Sequence, residues 1–128
     1  MMKQDIELLK NILISIEELQ QGIEPLDGSS IYYDMLSKEQ IHQEDYEKFA
    51  YHVRILAQDN IIEANTENLH AGLFMVNCIT PAGHRLLETF SNQSFYQKVK
   101  NYLIENSVPL TVSSIQVAAN TLISNLKL

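Results

Sequence analysis

A chain of 128 residues and 14.6 kDa is long enough to bury one core without a disulfide or metal. With 45% hydrophobic and 20% charged residues, the composition excludes a disordered chain, and no apolar run reaches the roughly 18 to 20 residues of a membrane span. The single cysteine, Cys78, excludes an intrachain disulfide, and the N-terminal residues lack a secretory signal pattern, so we expect a cytoplasmic protein.

The net charge of −7 lies entirely in the N-terminal half of the chain. Residues 1 to 60 hold five Lys or Arg against twelve Asp or Glu, whereas residues 61 to 128 hold four of each kind. Affinity for duplex DNA depends largely on Lys and Arg side chains that replace counterions at phosphates. The negative charge of the N-terminal half therefore disfavours binding to nucleic acid.

The first element in chain order is a helix over residues 3 to 20, where apolar side chains repeat at helical spacing until Gly22 and Pro25 end the pattern. The Pro and Asp-Gly signals of residues 22 to 30 predict a turn-rich connection. The stretch from Ile31 to Leu36 is compatible with a short helix or with a short strand and turn. We favour a short strand or a helical turn there.

A second amphipathic helix is predicted from Glu44 to Gln58, and it ends before Asn60, a residue type that tolerates the left-handed conformation. The runs "IIEANTE" and "LFMVNCI" then predict two short strands. They are separated by "NLHAG", with Gly72 near the turn, so they should form a β-hairpin.

Three helices are predicted to complete the chain. Thr80 followed by Pro81 provides a helix cap and a favoured first helical residue. Residues 93 to 106 form a helix that ends before Pro109, and a last helix runs from about residue 111 to 126.

The predicted elements follow the order of a winged helix with a C-terminal helical extension: helix, short element, helix, hairpin and further helices. We therefore predict a mostly helical α+β fold: a winged helix-turn-helix-like domain over residues 1 to 90 with one β-hairpin wing. Residues 91 to 128 form the extension, which packs on the same domain or on a second copy.

Four segments carry a resemblance to a known family: "YHVRIL" followed by "NII", then "ITPAGHRLLE", then "YQKVKNYL". They resemble an uncharacterised family of short bacterial and phage or prophage proteins, regarded as winged-helix domains of unknown function. The resemblance covers roughly residues 1 to 105 and implies a fold and a phage context, with no activity attached. The sequence departs from the usual winged-helix pattern at Asn60, where a glycine commonly precedes the first wing strand.

The sequence carries no pattern typical of an enzyme. The four glycines are isolated, which excludes a phosphate-binding glycine loop, and the four histidines lack the spacing of zinc ligands. Cys78 lies in an alternating strand run, where a free cysteine is usually a small buried hydrophobe. We therefore expect a non-enzymatic protein without a metal or cofactor.

The outer side of the second helix is the candidate contact face, with Lys48, Tyr51, His52, Arg54 and Ile55 as its residues. One hypothesis is DNA binding in transcriptional control. The alternative is a protein-interaction adaptor, because an exposed Tyr51 and Ile55 among mixed charges suit a protein surface better than a phosphate backbone. It is also open whether this helix only completes the core and leaves its outer face solvated.

The last helix is the candidate dimer helix, through Ile115, Ala119, Leu122 and Leu126. Its apolar stripe indicates one buried face, and its opposite face is polar yet carries no charged residue before Lys127. Depletion of charge is typical of an interface core, so we predict a homodimer. The alternative is that this helix packs within its own chain, against the first helix.

Overall fold

The computed structural model describes residues 3–126, and over these residues it is a mostly helical α+β protein. The described part contains six α-helices and three short β-strands. In chain order they are α1 (Ile6–Leu19), β1 (Leu26–Asp27), α2 (Gly28–Ser37), α3 (Tyr46–Gln58), β2 (Ile62–Asn65), β3 (Met75–Ile79), α4 (Pro81–Ser91), α5 (Gln93–Glu105) and α6 (Val112–Leu126). The predicted helices at α1, α3, α4, α5 and α6 are confirmed.

The three strands form one antiparallel sheet in the order β1-β3-β2. Leu26 pairs with Val76 at one edge, and Ile62 pairs with Ile79 at the other. The predicted β2–β3 hairpin is confirmed, and β1 is a third strand that the sequence pattern did not reveal. Two residues are too few for an alternating pattern, so β1 exists only through its pairing with β3.

The β3 strand contains a bulge that corrects the prediction for Cys78. Glu63 pairs with Cys78 and Ala64 pairs with Val76, so Asn77 is the extra residue. Both Asn77 and Cys78 are consequently exposed, and the expected burial of the cysteine is wrong. Partial desolvation of the sulfur and the neighbouring Glu63 carboxylate still raise the pKa of the Cys78 thiol, which disfavours the reactive thiolate.

Residues 31 to 36 belong to α2, so the short-helix alternative is confirmed and the short strand is wrong. The helix begins because the Asp27 side chain accepts a hydrogen bond from the Ser29 N–H at 3.0 Å and so caps the first turn. On its inner face α2 buries Ile31 and Met35 completely. The Asp-Gly pair that predicted a turn thus marks the start of a helix.

One continuous hydrophobic core joins the N-terminal helices to the C-terminal ones. Its buried members run from Ile6 in α1 to Ala119 in α6 and include Val99 and Leu103 of α5. The start of α6 is also attached to the start of the chain, since the Val112 N–H donates to Gln4 Oε1 at 3.0 Å. The C-terminal helices therefore pack on their own chain, while the division at residue 90 stays a prediction.

The turn between α3 and β2 is held by the start of α4. Asn60 has the predicted left-handed backbone, with φ of 58°. The Thr80 hydroxyl lies 2.6 Å from the Asn60 carbonyl oxygen, and it also accepts a hydrogen bond from the Gly83 N–H at 3.0 Å. The predicted Thr80 cap is confirmed, and it fixes α4 against the end of α3.

Candidate macromolecular interface

The structure divides the predicted contact face on α3 into buried and accessible residues. His52 is fully buried and Ile55 is only 8% exposed, so the expectation that they lie on an open outer face is wrong. Lys48, Tyr51 and Arg54 are half-buried. A helical wheel considers one helix alone and could not show that the start of α1 covers the His52 side of α3.

His52 connects α3 to the N-terminus of α1. Its Nε2 accepts a hydrogen bond from the Asp5 N–H at 2.8 Å, and its Nδ1 lies 2.7 Å from the Lys48 carbonyl oxygen. An acceptor at Nε2 places the proton on Nδ1, which donates to Lys48, so the ring is neutral. Burial lowers the pKa of His52, in agreement with that state.

The ammonium group of Lys48 is engaged by the same segment. Its Nζ lies 3.1 Å from the Asp5 Oδ2, while the other carboxylate oxygen of Asp5 accepts from the Leu8 N–H and caps α1. Burial opposes ionisation of Asp5, but the hydrogen bonds from Leu8 and Lys48 outweigh it and lower the pKa of Asp5. Lys48 therefore completes an internal connection between α1 and α3.

The loop between β2 and β3 packs on α3. Leu69 in this loop is fully buried, and its carbonyl oxygen accepts a hydrogen bond from the Tyr46 hydroxyl at 2.7 Å. Arg54 Nη2 lies 3.1 Å from His70 Nε2 in the same loop, so the guanidinium group is also engaged by its own chain. The loop thus covers part of the α3 face that a DNA-recognition helix would present to the groove of DNA.

Acidic side chains dominate the exposed surface around α3. Glu44 just before α3, Glu47 in its first turn, and Glu63 and Glu67 in the hairpin and its loop are exposed, and no ion pair involves them within residues 3–126. The loop and hairpin from residue 63 to 77 contain no Lys or Arg. This surface can attract a basic partner and repels phosphates.

The apolar stripe of α6 faces its own chain, which corrects the predicted dimer surface. Ile115 is fully buried and Ala119 is 5% exposed, and α6 packs mainly on α5 instead of α1. Leu122 is half-buried against the same core, and the side chain of Leu126 lies outside the described residues. The homodimer itself stays a prediction, but Ile115 and Ala119 are already covered without it.

Leu122→Asp is expected to destabilise the chain without changing its mass in solution. A charge placed against the core without a partner should lower the free energy of unfolding by about 1 to 3 kcal/mol. Light scattering at micromolar concentration and urea unfolding measure the two effects. A wild-type mass of two chains that halves in Leu122→Asp would instead establish the dimer through α6.

A cleft that sequence reasoning did not predict lies between α4 and α6. Its volume is about 360 Å³, and Asn92 after α4 and Phe95 near the start of α5 also line it. Gln116 and Asn120 of α6 line the opposite wall. The signal was present in the sequence, because both residues belong to the uncharged polar face of this helix.

These features define a small α+β protein with an acidic α3 surface and a separate polar-rimmed cleft. Residues 3–109 match the family described as "Hypothetical protein (DUF2513)", and the chain belongs to that family. This confirms the resemblance to an uncharacterised family.

Over 128 residues, the chain is 25% identical to an "Uncharacterized protein" of Haemophilus influenzae strain Rd, with 98% of both chains covered. No solved structure matches the chain. Among residues 3–126, no helix has the length and apolar character needed to cross a bilayer.

Proposed function

We propose that this protein is a non-enzymatic winged-helix adaptor that binds a protein with a basic contact surface. The order of elements from α1 to β3, with β1 paired to β3, supports the winged-helix assignment. The family resemblance supports a phage or prophage origin, and the lone cysteine supports a cytoplasmic setting. The proposed contact surface consists of Glu44, Glu47, Tyr51 and the exposed face of the β2–β3 hairpin.

The observation that carries the proposal is the internal engagement of both basic side chains of α3. Lys48 binds Asp5, and Arg54 contacts His70. To bind phosphates, both groups would first have to leave these partners, and the exposed carboxylates beside them would oppose the approach of DNA. A basic protein surface meets the same carboxylates favourably and can use Tyr51 as an aromatic anchor.

The charge of the whole N-terminal half supports the same conclusion. Of its five basic residues, Lys10, Lys38 and Lys48 pair with carboxylates and Arg54 contacts His70. Eight of its twelve carboxylates have no ion-pair partner within the described residues. Only fold analogy supports DNA binding in transcriptional control, so the first experiment must be able to detect DNA binding as well.

Retention on heparin and on mixed-sequence duplex DNA at ~50 mM salt tests the choice between the two partners. We expect the wild-type protein to flow through both columns. The double variant Glu44→Lys, Glu47→Lys cancels the net negative charge that Glu44, Glu47, Glu63 and Glu67 give the proposed surface, and it should be retained more than the wild type. Strong wild-type retention that is lost steeply as salt rises would show that the partner is DNA.

Site-specific photocrosslinking tests the adaptor role directly. A benzophenone side chain in place of Tyr51 should capture one protein in the host cell, whereas the same group in place of Gln97 on α5 should not. Adding Glu47→Lys should reduce capture at position 51, because the partner is proposed to be basic at the contact. Equal capture at both positions, or capture that ignores the charge reversal, would contradict the proposed surface.

A further inference from the structure

The cleft between α4 and α6 has an apolar floor and a polar rim. Leu86 and Ala119 form buried parts of its lining, and Phe95 is a half-buried part of it. Its volume of about 360 Å³ lies within the range of sites that bind small ligands or single side chains with their backbone. Such a floor can accept an apolar side chain.

The rim carries carboxamide groups with unused hydrogen-bonding capacity. Gln116 and Asn120 make no side-chain hydrogen bond within residues 3–126. The Asn92 Oδ1 caps α5 by accepting from the Phe95 N–H at 3.1 Å. The amide N–H groups of Asn92 are not used in this cap. A carboxamide offers both a donor and an acceptor, as a peptide backbone does.

The formal charges of the cleft balance each other. Arg85 and Glu88 both line it, are exposed, and have no ion-pair partner within residues 3–126. One guanidinium beside one carboxylate gives little attraction for a phosphate or another multiply charged anion. Electrostatics therefore favour an uncharged occupant.

From this geometry we propose that the α4–α6 cleft binds an extended, uncharged peptide segment of the partner protein. One apolar side chain of the segment lies on the floor near Phe95, and its backbone hydrogen-bonds with Gln116 and Asn120. The inference rests on the proposed adaptor function, to which it adds a second contact away from α3. A peptide matches the cleft because it combines alternating donors and acceptors with an apolar group and no charge.

The probe is the capped peptide acetyl-Leu-Trp-Leu-amide. The protein contains no tryptophan, so the indole emission of the probe can be followed alone. We expect a blue shift and an increase in anisotropy as protein is added. Loss of one hydrogen-bonding group should weaken binding roughly two- to tenfold, in Gln116→Ala and in Asn120→Ala.

The matched control is Asn125→Ala, which removes a carboxamide from an exposed position of the same helix outside the cleft. It should bind the probe as the wild type does. Circular dichroism and the unfolding midpoint of each variant separate loss of binding from loss of folding. Absence of any spectral change at millimolar protein, or equal affinity in all three variants, overturns the proposal.

Two further measurements distinguish other occupants and separate the two proposals. Acetyl-Asp-Trp-Asp-amide and inorganic phosphate should bind at least tenfold more weakly than the neutral probe, and tighter binding of either would show an anion site. If the neutral probe fails while crosslinking at position 51 succeeds, the cleft proposal is wrong and the adaptor function stands. If the probe binds but the protein is held on DNA, the cleft does bind peptides, but the adaptor function is wrong and so is its partner as the source of the peptide.

Discussion

Gly83→Ala is expected to lower the free energy of unfolding by about 3 kcal/mol or more, enough to prevent folding in a chain of marginal stability. Gly83 is buried in the first turn of α4, where the helix approaches the turn after α3. An added methyl group would overlap the backbone carbonyl of Ile61 and lie 2.6 Å from Ile79 Cγ2. Backbone cannot move aside as a flexible side chain can, so the clash is not relieved locally.

The matched control for this substitution is Gly22→Ala. Nothing lies within 4 Å of the corresponding position at Gly22, so the same methyl group meets only open space there. Urea unfolding followed by circular dichroism compares the two variants. A Gly83→Ala protein as stable as Gly22→Ala would mean that α4 does not approach Ile61 as closely as the structure shows.

The second large effect is a loss of stability as the pH falls below about 6.5, the value for an unperturbed histidine. Burial lowers the pKa of His52 in the folded protein, so the unfolded chain binds a proton at a higher pH than the folded one does. The stabilisation that depends on neutral His52 is therefore fully present above the pKa of this histidine in the unfolded chain. It falls by about 1.4 kcal/mol per pH unit between that value and the folded-state pKa.

The physical reason is the fixed orientation of the His52 ring. Protonation would place a second N–H on Nε2, directly opposite the Asp5 N–H that now donates to it at 2.8 Å. Two donors cannot hydrogen-bond to each other. The Asp5 carboxylate favours the charged ring and the Lys48 ammonium disfavours it, but burial dominates and keeps the pKa of His52 lowered. The start of α1 should separate from α3 when the ring is charged.

Unfolding curves between pH 5 and pH 8 test this prediction. His52→Gln should be less stable at pH 8 but should lose most of the slope between pH 6.5 and 5, because the residue that titrates is gone. His84→Gln, at an exposed position, should keep the wild-type slope. The carboxyls of Asp5 and Asp34 have lowered pKa values, so their stabilisation is lost only in more acidic solution, below about pH 4. A slope unchanged in His52→Gln would assign the effect to other groups.

Elements whose signal lies within their own residues were predictable from the sequence. The helices α1 and α3 repeat apolar residues at helical spacing, and α4 begins at a Thr-Pro pair that caps and starts it. The hairpin follows from two β-rich runs around Gly72, which has the left-handed φ of 81° that such a turn favours. Periodicity and capping act over a few residues, so they can be recognised without the rest of the fold.

Features that depend on distant pairing were missed. The strand β1 is extended because β3 lies beside it, and Cys78 turns outward because the bulge at Asn77 shifts the register. His52 is buried by the start of α1, from which it is separated by 47 positions. The α4–α6 cleft is lined by residues of three helices, so no single segment of the sequence contains it.

The hydrogen bond between Gln4 and Val112 joins groups that are 108 positions apart in the chain. At a synthesis rate of roughly 5 to 20 residues per second, Val112 is made on the order of 5 to 20 s after Gln4. Until α6 has been made and packs on α5, the part of the core that it covers stays exposed to the cell. Translation speed over the codons of α5 and α6 therefore sets how long the growing chain presents an aggregation-prone surface.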